Sequence, residues 1–163
     1  MITQSRLKQL FDYDKSTGLF TRIFPVRKAN VGDIAGTLAK NGYITISIDC
    51  KRYYAHRLAF LYVEGYMPKQ VDHRDLIRNN NIWDNLRKAT NSLNSANKIK
   101  SNNSVSKYKG VSIHKSSGLW RARLKVNKNE MHLGLFEDEI EAAKAYNEAA
   151  TKYFGEYCRL NDV

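Results

Sequence analysis

Between residues 71 and 97 the chain reads VDHRDLIRNNNIWDNLRKATNSLNSAN. Asp72 and His73 are adjacent, and Asn85 and Asn94 follow at set distances in a segment dense in asparagine. Short polar side chains make poor core, because each buried amide or carboxylate must find partners. They suit another task well. Oxygen donors from a carboxylate and from carboxamides hold one hard divalent cation, and a neutral imidazole beside it can take up a proton. The pattern points to metal-assisted chemistry.

The flanking elements must position these groups. Leu7, Leu10 and Phe11 recur at helical spacing over residues 4–12, and Tyr13 to Gly18 supplies turn residues. LFTRIF (19–24) and GYITISID (42–49) alternate as strands, and CKRYYA turns into another. HRLAFLYVEGY (56–66) carries a helical apolar stripe that ends near Gly65 and Pro68. QVDHR (70–74) predicts a short strand, NNIWDNLRKA passes through a second, and SLNSANKIK (92–100) a short helix bearing Asn94 and Asn97. KSNNSVSK (100–107) reads as a linker.

Beyond the linker, KGVSIHK, WRARLKVNK and MHLGLF alternate as three strands, with turns at 116–118 and 127–129. Asp138 and Glu141 have capping-box spacing, and Ile140, Ala143, Tyr146, Ala150, Tyr153 and Phe154 form a helical stripe. These patterns predict a three-stranded sheet backed by one helix. On the central strand Trp120, Ala122 and Leu124 share one face, and Arg121, Arg123 and Lys125 the other.

Charge is uneven. The 163 residues carry 27 Lys and Arg against 16 Asp and Glu, net +11. Eleven basic residues and no acidic one lie between Asn85 and Asn129, a stretch whose charge equals that of the whole chain. Such an excess marks a polyanion partner, and its alternation with polar and aromatic residues speaks against a membrane-surface helix. No apolar run reaches the roughly 20 residues of a membrane span, and the N-terminus lacks the apolar core of a signal peptide. Cys50 and Cys158 form no CxxC and are expected as reduced thiols.

YYAHRLAF, VDH, the asparagines before NLRKAT and the closing N-x-x-N together resemble the HNH endonuclease superfamily, in particular its phage and intron-encoded homing type. The resemblance implies a ββα-metal core in which His73 is the general base and Asn85 holds its imidazole. Asp72 and Asn94 would ligate the metal. One carboxylate among the ligands favours Mg²⁺ or Mn²⁺ over zinc. An imidazole pKa near 6.5 suits a base at neutral pH. Asn81 matches the family's second asparagine, and His56 belongs to the resembling stretch with a structural or phosphate-contact role. Asp75-Leu76-Ile77 replaces the usual Asn-Gly-Asp, which alters the turn after the Asp-His pair.

The segment from Tyr108 to Asn161 is similar to Apetala-two/ethylene-response-factor DNA-binding domains. Tyr108-Lys-Gly-Val111, Trp120, Leu133-Gly-x-Phe136, the EAA-x-AY helix and Leu160-Asn161 carry the likeness. That family lays its sheet in the major groove. Lys109, Trp120, Arg123, Lys125 and His132 match its contact positions, and Arg121 completes the basic triplet on the strand. Arg123 stands where an acidic residue is common, and Glu130 replaces a frequently basic contact.

The expected fold class is α+β: a ββα-metal nuclease module with an N-terminal extension (1–99), a linker (100–107) and a three-stranded antiparallel sheet packed on one helix (108–163). The expected activity is metal-dependent, site-specific hydrolysis of double-stranded DNA by a monomer, inside a phage-infected bacterial host. The alternative is a DNA-binding regulator that has lost turnover through the changed 75–77 turn. A basic sheet reading RNA is the remote third, with no aromatic RNA-binding signature behind it.

Overall fold

In the computed structural model, residues 2–26, 29–100 and 105–163 are described. Their contacts divide the chain into two compact units, Met1–Lys88 and Ala89–Val163.

The first unit opens with helix α1 (Gln4–Leu10), whose N-terminus is capped by Thr3, the hydroxyl accepting from the Arg6 amide. The helix ends before the expected Asp12, because Phe11 turns extended and begins β1 (Phe11–Tyr13). Strands β2 (Phe20–Arg22) and β3 (Ile34–Ala35) complete a sheet in the order β1-β2-β3. A second sheet joins β4 (Thr37–Leu38), β5 (Ile44–Ile48) and β6 (Lys51–Tyr54). Helix α2 (Ala55–Glu64) comes directly after β6 and stops at Gly65 in the left-handed region. Leu7, Phe11, Phe20, Ile46, Leu58 and Phe60 belong to the one core that α1, α2 and these sheets share.

A hairpin ends the unit. β7 (Val71–His73) pairs antiparallel with β8 (Leu86–Lys88), setting Asp72 opposite Arg87 and His73 opposite Leu86. The second strand is shorter than its sequence suggests, because Trp83–Asn85 forms a 3-10 turn. Leu76 lies at φ 67 in the altered turn and bonds its amide to the His73 carbonyl at 3.0 Å. A leucine thus holds the left-handed position where the family pattern has glycine, and the turn survives at the expense of backbone strain.

The second unit begins with α3 (Asn91–Asn97), capped by the Thr90 hydroxyl accepting from the Leu93 amide. Ala96 of this helix shares a core cluster with Leu124, Tyr146 and Phe154. Those packed neighbours explain why α3 joins the second unit, whereas the sequence division at 100–107 leaves it with the first. Residues 101–104 of the expected linker lie outside the described residues. Strands β9 (Val111–Ile113), β10 (Trp120–Val126) and β11 (Asn129–Phe136) form an antiparallel sheet in the order β11-β10-β9.

Helix α4 (Glu139–Phe154) covers one sheet face, where Ala122, Ala142, Ala143 and Ala150 are fully buried. Asp138 holds the N-cap position of α4 but makes no capping hydrogen bond from its side chain. The β10–β11 turn uses Asn127 and Lys128, both at positive φ, as a two-residue hairpin turn of right-handed twist requires. A bulge between Ala122 and Arg123 shifts the register with β11. Gly110 must be glycine: at φ +78 a Cβ there would lie 2.1 Å from the Tyr146 ring.

The first unit yields two expected outcomes. Leu76→Gly should be at least as stable as the native chain in urea unfolding, while Leu76→Val, β-branched at a left-handed position, should lose about 1 kcal/mol. Burial, reinforced by His73 and Arg57, lowers His56 to about 3. The unfolded chain therefore binds a proton that the folded chain refuses between pH 6.5 and about 3. Stability is full above that window and falls with acid, by up to about 1.4 kcal/mol per pH unit. Unfolding at pH 6.5 and 5 should show the loss, and His56→Gln should lose most of the slope.

Candidate functional site

The β7–β8 hairpin carries the Asp-His pair. Asp72 and Arg87 are buried, and Nε and Nη2 of Arg87 donate to the same Oδ2 at 2.8 and 2.7 Å. An ionised carboxylate accepts through two oxygens and about four lone-pair positions, so an arginine clamp and ligation of a cation are compatible.

His73 is 4% exposed. Its ring lies 5.2 Å from the His56 ring, edge to face, and 5.8 Å from Tyr43, which also packs on His56 at 5.0 Å. Burial lowers the His73 pKa, opposed by its contact with Asn81 and by Asp75 and Asp72. The imidazole is therefore neutral at neutral pH, the state a proton acceptor needs.

The asparagine that meets His73 is Asn81, whose Oδ1 faces Nε2 at 3.3 Å. A ring protonated on Nε2 would donate to that oxygen and carry its basic lone pair on Nδ1. This corrects the contact expected of Asn85. The Asn85 amide donates to Asp75 Oδ1 and the Asn80 carbonyl, both at 2.9 Å, and its Oδ1 accepts from the Asp75 amide. Asn80 Nδ2 holds Asp75 Oδ2 at 2.6 Å, and Asp75 Oδ1 accepts from the Ile77 amide. Asn85 acts on the turn, and Asn81 on the His73 imidazole.

Asn81 is itself anchored from afar. Tyr13 donates to its carbonyl at 2.7 Å, and Gly18 passes so close that a Cβ would lie 2.2 Å from the Asn81 carbonyl carbon. Tyr43 and Gly18 escaped sequence reasoning because strand alternation and turn composition account for both. The one signal for Asn81 was its match to a family asparagine.

Asn94 lies on α3, in the second unit. Its Oδ1 is buried with no hydrogen-bond partner among the described residues, a condition that a cation ligand would satisfy. The donors of Asp72 and Asn94 are all oxygen, a chemistry that fits Mg²⁺ or Mn²⁺. Among the described residues no three His, Cys, Asp or Glu side chains group as a metal cluster.

The outer face of the β9–β11 sheet carries Arg121, Arg123 and Lys125, with exposed His132 opposite Arg123. Arg123 pairs with Glu130 at 3.1 Å, both partly exposed. Arg121 Nε and Ser112 Oγ, on paired positions, are buried without a hydrogen-bond partner among the described residues. Trp120 departs from a contact role: half-buried, it packs against the cluster of Tyr108, Val111, Ala122 and Ala143 on the α4 side. Strand alternation keeps it there. Lys109 departs too. Its ammonium donates to the carbonyls of Ser95, Ala96 and Lys98 and is lowered to about 8, mainly by burial. No helix among the described residues is long and apolar enough to cross a membrane.

Residues 53–96 match the family model described as HNH endonuclease. An HNH endonuclease of Acanthamoeba polyphaga mimivirus is 35% identical over 129 residues, 77% of this chain and 66% of that protein. APETALA2-like protein 2 of Oryza sativa subsp. japonica is 46% identical over 52 residues, 31% of this chain and 12% of that protein. The chain thus spans a small part of the plant protein and just under two thirds of the viral one. A solved structure titled "DNA binding and cleavage by the HNH homing endonuclease I-HmuI" is 27% identical, with 54% of this chain and 51% of that chain covered at a TM-score of 0.41. By the family model residues 53–96 are an HNH endonuclease domain, and the chain continues into a C-terminal segment similar to the APETALA2-like proteins.

Proposed function

We propose that the protein is a metal-dependent, site-specific DNA endonuclease of the homing type that hydrolyses a phosphodiester bond. His73, buried and facing the Asn81 carboxamide oxygen at 3.3 Å, is the observation that carries this reading. His73 Nδ1 takes the proton of the attacking water. Asn81 steadies the imidazolium that results, since Nε2 keeps its acceptor throughout. Asp72, clamped by Arg87, would ligate a divalent ion, Mg²⁺ or Mn²⁺, which would offset charge on the phosphate and on the leaving 3′ oxygen, and the resemblance assigns Asn94 as a further oxygen ligand. Asn85 supports the reaction indirectly, through the turn after His73.

The second unit supplies affinity for double-stranded DNA. Arg121, Arg123, Lys125 and His132 present the basic sheet face, and each phosphate contact should add about 0.9 to the log–log salt slope. The retained 73–76 turn argues against lost turnover, because the strain at Leu76 leaves the Asp-His hairpin paired.

The decisive experiment incubates the full chain with supercoiled plasmid in Mg²⁺, Mn²⁺ or EDTA. Nicking that needs the metal is expected, and His73→Ala should lower its rate by about 10²- to 10⁴-fold while DNA binding survives. Tight binding with no cutting in any divalent ion would instead establish the DNA-binding regulator.

A further inference from the structure

We propose that Lys109 is a positioning residue that fixes the Asn94 helix, and that it makes no contact with DNA. The consequence for cleavage rests on Asn94 being a cation ligand, as proposed above. Nζ of Lys109 donates to the carbonyls of Ser95 (3.3 Å), Ala96 and Lys98 (2.9 Å). These belong to the C-terminal acceptors that a helix leaves without partners of its own. Helix α3 has only seven residues and no basic side chain in its last turn. Besides the C-cap residue Lys98, the negative end of its dipole receives the ammonium of Lys109. A helix this short has little stability alone, so external anchors decide its position.

Those anchors form one connected path. The Arg159 amide donates to the same Ala96 carbonyl at 3.1 Å. The backbone of Lys109 is gripped by Asn161, whose Oδ1 accepts from the Lys109 amide at 2.7 Å and whose Nδ2 donates to its carbonyl at 3.1 Å. Asn161 is held in turn by Asn147 of α4, with its amide donating to Asn147 Oδ1 at 2.8 Å. Position is thus transmitted from α4 through Asn161 and Lys109 to the residue next to Asn94. An ammonium has three protons, and three carbonyls take them. A phosphate contact would require breaking that arrangement.

The test compares the full chain with Lys109→Met and Lys109→Arg in three measurements: amide hydrogen exchange over residues 91–98, the salt dependence of binding to duplex DNA, and plasmid cleavage against Mg²⁺ concentration. In Lys109→Met, exchange across α3 should quicken about tenfold. The salt slope should stay unchanged. The Mg²⁺ concentration for half-maximal cleavage should rise about tenfold, with the rate at saturating Mg²⁺ retained. Lys109→Arg should restore protection and Mg²⁺ dependence, and it decides the matter should the Met variant fail to fold. A salt slope lowered by about 0.9 with α3 exchange unchanged would make Lys109 a phosphate contact and overturn the proposal. Faster exchange with unaltered Mg²⁺ dependence would also overturn it, leaving a purely structural clamp. Should the native chain fail to cut in every divalent ion tried, the endonuclease reading fails by itself. The exchange and salt measurements need no cleavage, and still separate a helix clamp from a DNA contact.

Discussion

The ion pair between Asp72 and Arg87 is the constraint on which the hairpin rests. The two residues face each other across β7 and β8, both 7% exposed at the side chain. Either charge left alone in that setting would be heavily destabilising, whereas together they satisfy each other through two short hydrogen bonds to one oxygen. The pair also fixes register. A slip of one residue would separate the charges and turn His73 away from Tyr43 and His56. One interaction therefore sets the carboxylate, and through the strand it sets the imidazole beside it.

A second layer of polar groups stabilises what the ion pair positions. The stretch from Asp75 to Asn85 has no strand pairing, and side-chain amides add to its turns much of what orders it. Asp75 receives Asn80, Asn85 and the Ile77 amide. Asn81 faces inward to His73 while its carbonyl is tied to Tyr13. The asparagine density that first marks the segment as chemically suggestive is thus divided between two tasks. Asn80 and Asn85 build the turn, and Asn81 meets the His73 imidazole. Gly18 belongs to the same device, because only a residue without a side chain lets the first hairpin's turn approach the Asn81 backbone.

Much of this was legible in the sequence. The alternation of WRARLKV and the stripe from Ile140 to Phe154 foretold β10, β11 and α4, since period and burial are local properties of a chain. Asp72 and His73 were legible as a pair for the same reason. The contacts that stayed hidden depend on partners distant in sequence. Asn85 and Asn81 lie four residues apart and offer identical amides, so spacing alone did not reveal which of them meets the imidazole. Lys109 matches a contact position in a related domain, yet the carbonyls that hold it belong to a helix outside that domain's motif. The same helix explains the division of the chain: its polar composition resembled the segment before it, while its buried Ala96 packs with Leu124 of β10 and Tyr146 of α4. Trp120 shows local physics prevailing over resemblance, for alternation put it on the core side and there it lies.

The sheet face adds a final physical point about binding. Arg123 and Glu130 are 41% and 53% exposed at the side chain, and an ion pair so open to water contributes only about 0–1 kcal/mol. Exchanging the carboxylate for a phosphate oxygen therefore costs little, and the arginine is already extended over the face by the pairing. Arg121 differs. Its Nε is buried beside an equally unpartnered Ser112 hydroxyl, so its donor carries a desolvation penalty that no protein group offsets. On the proposed reading the two arginines are not equally available. The open pair lets Arg123 change partners as DNA arrives, whereas the Arg121 Nε is covered by protein and would have to be uncovered before it met an acceptor on DNA.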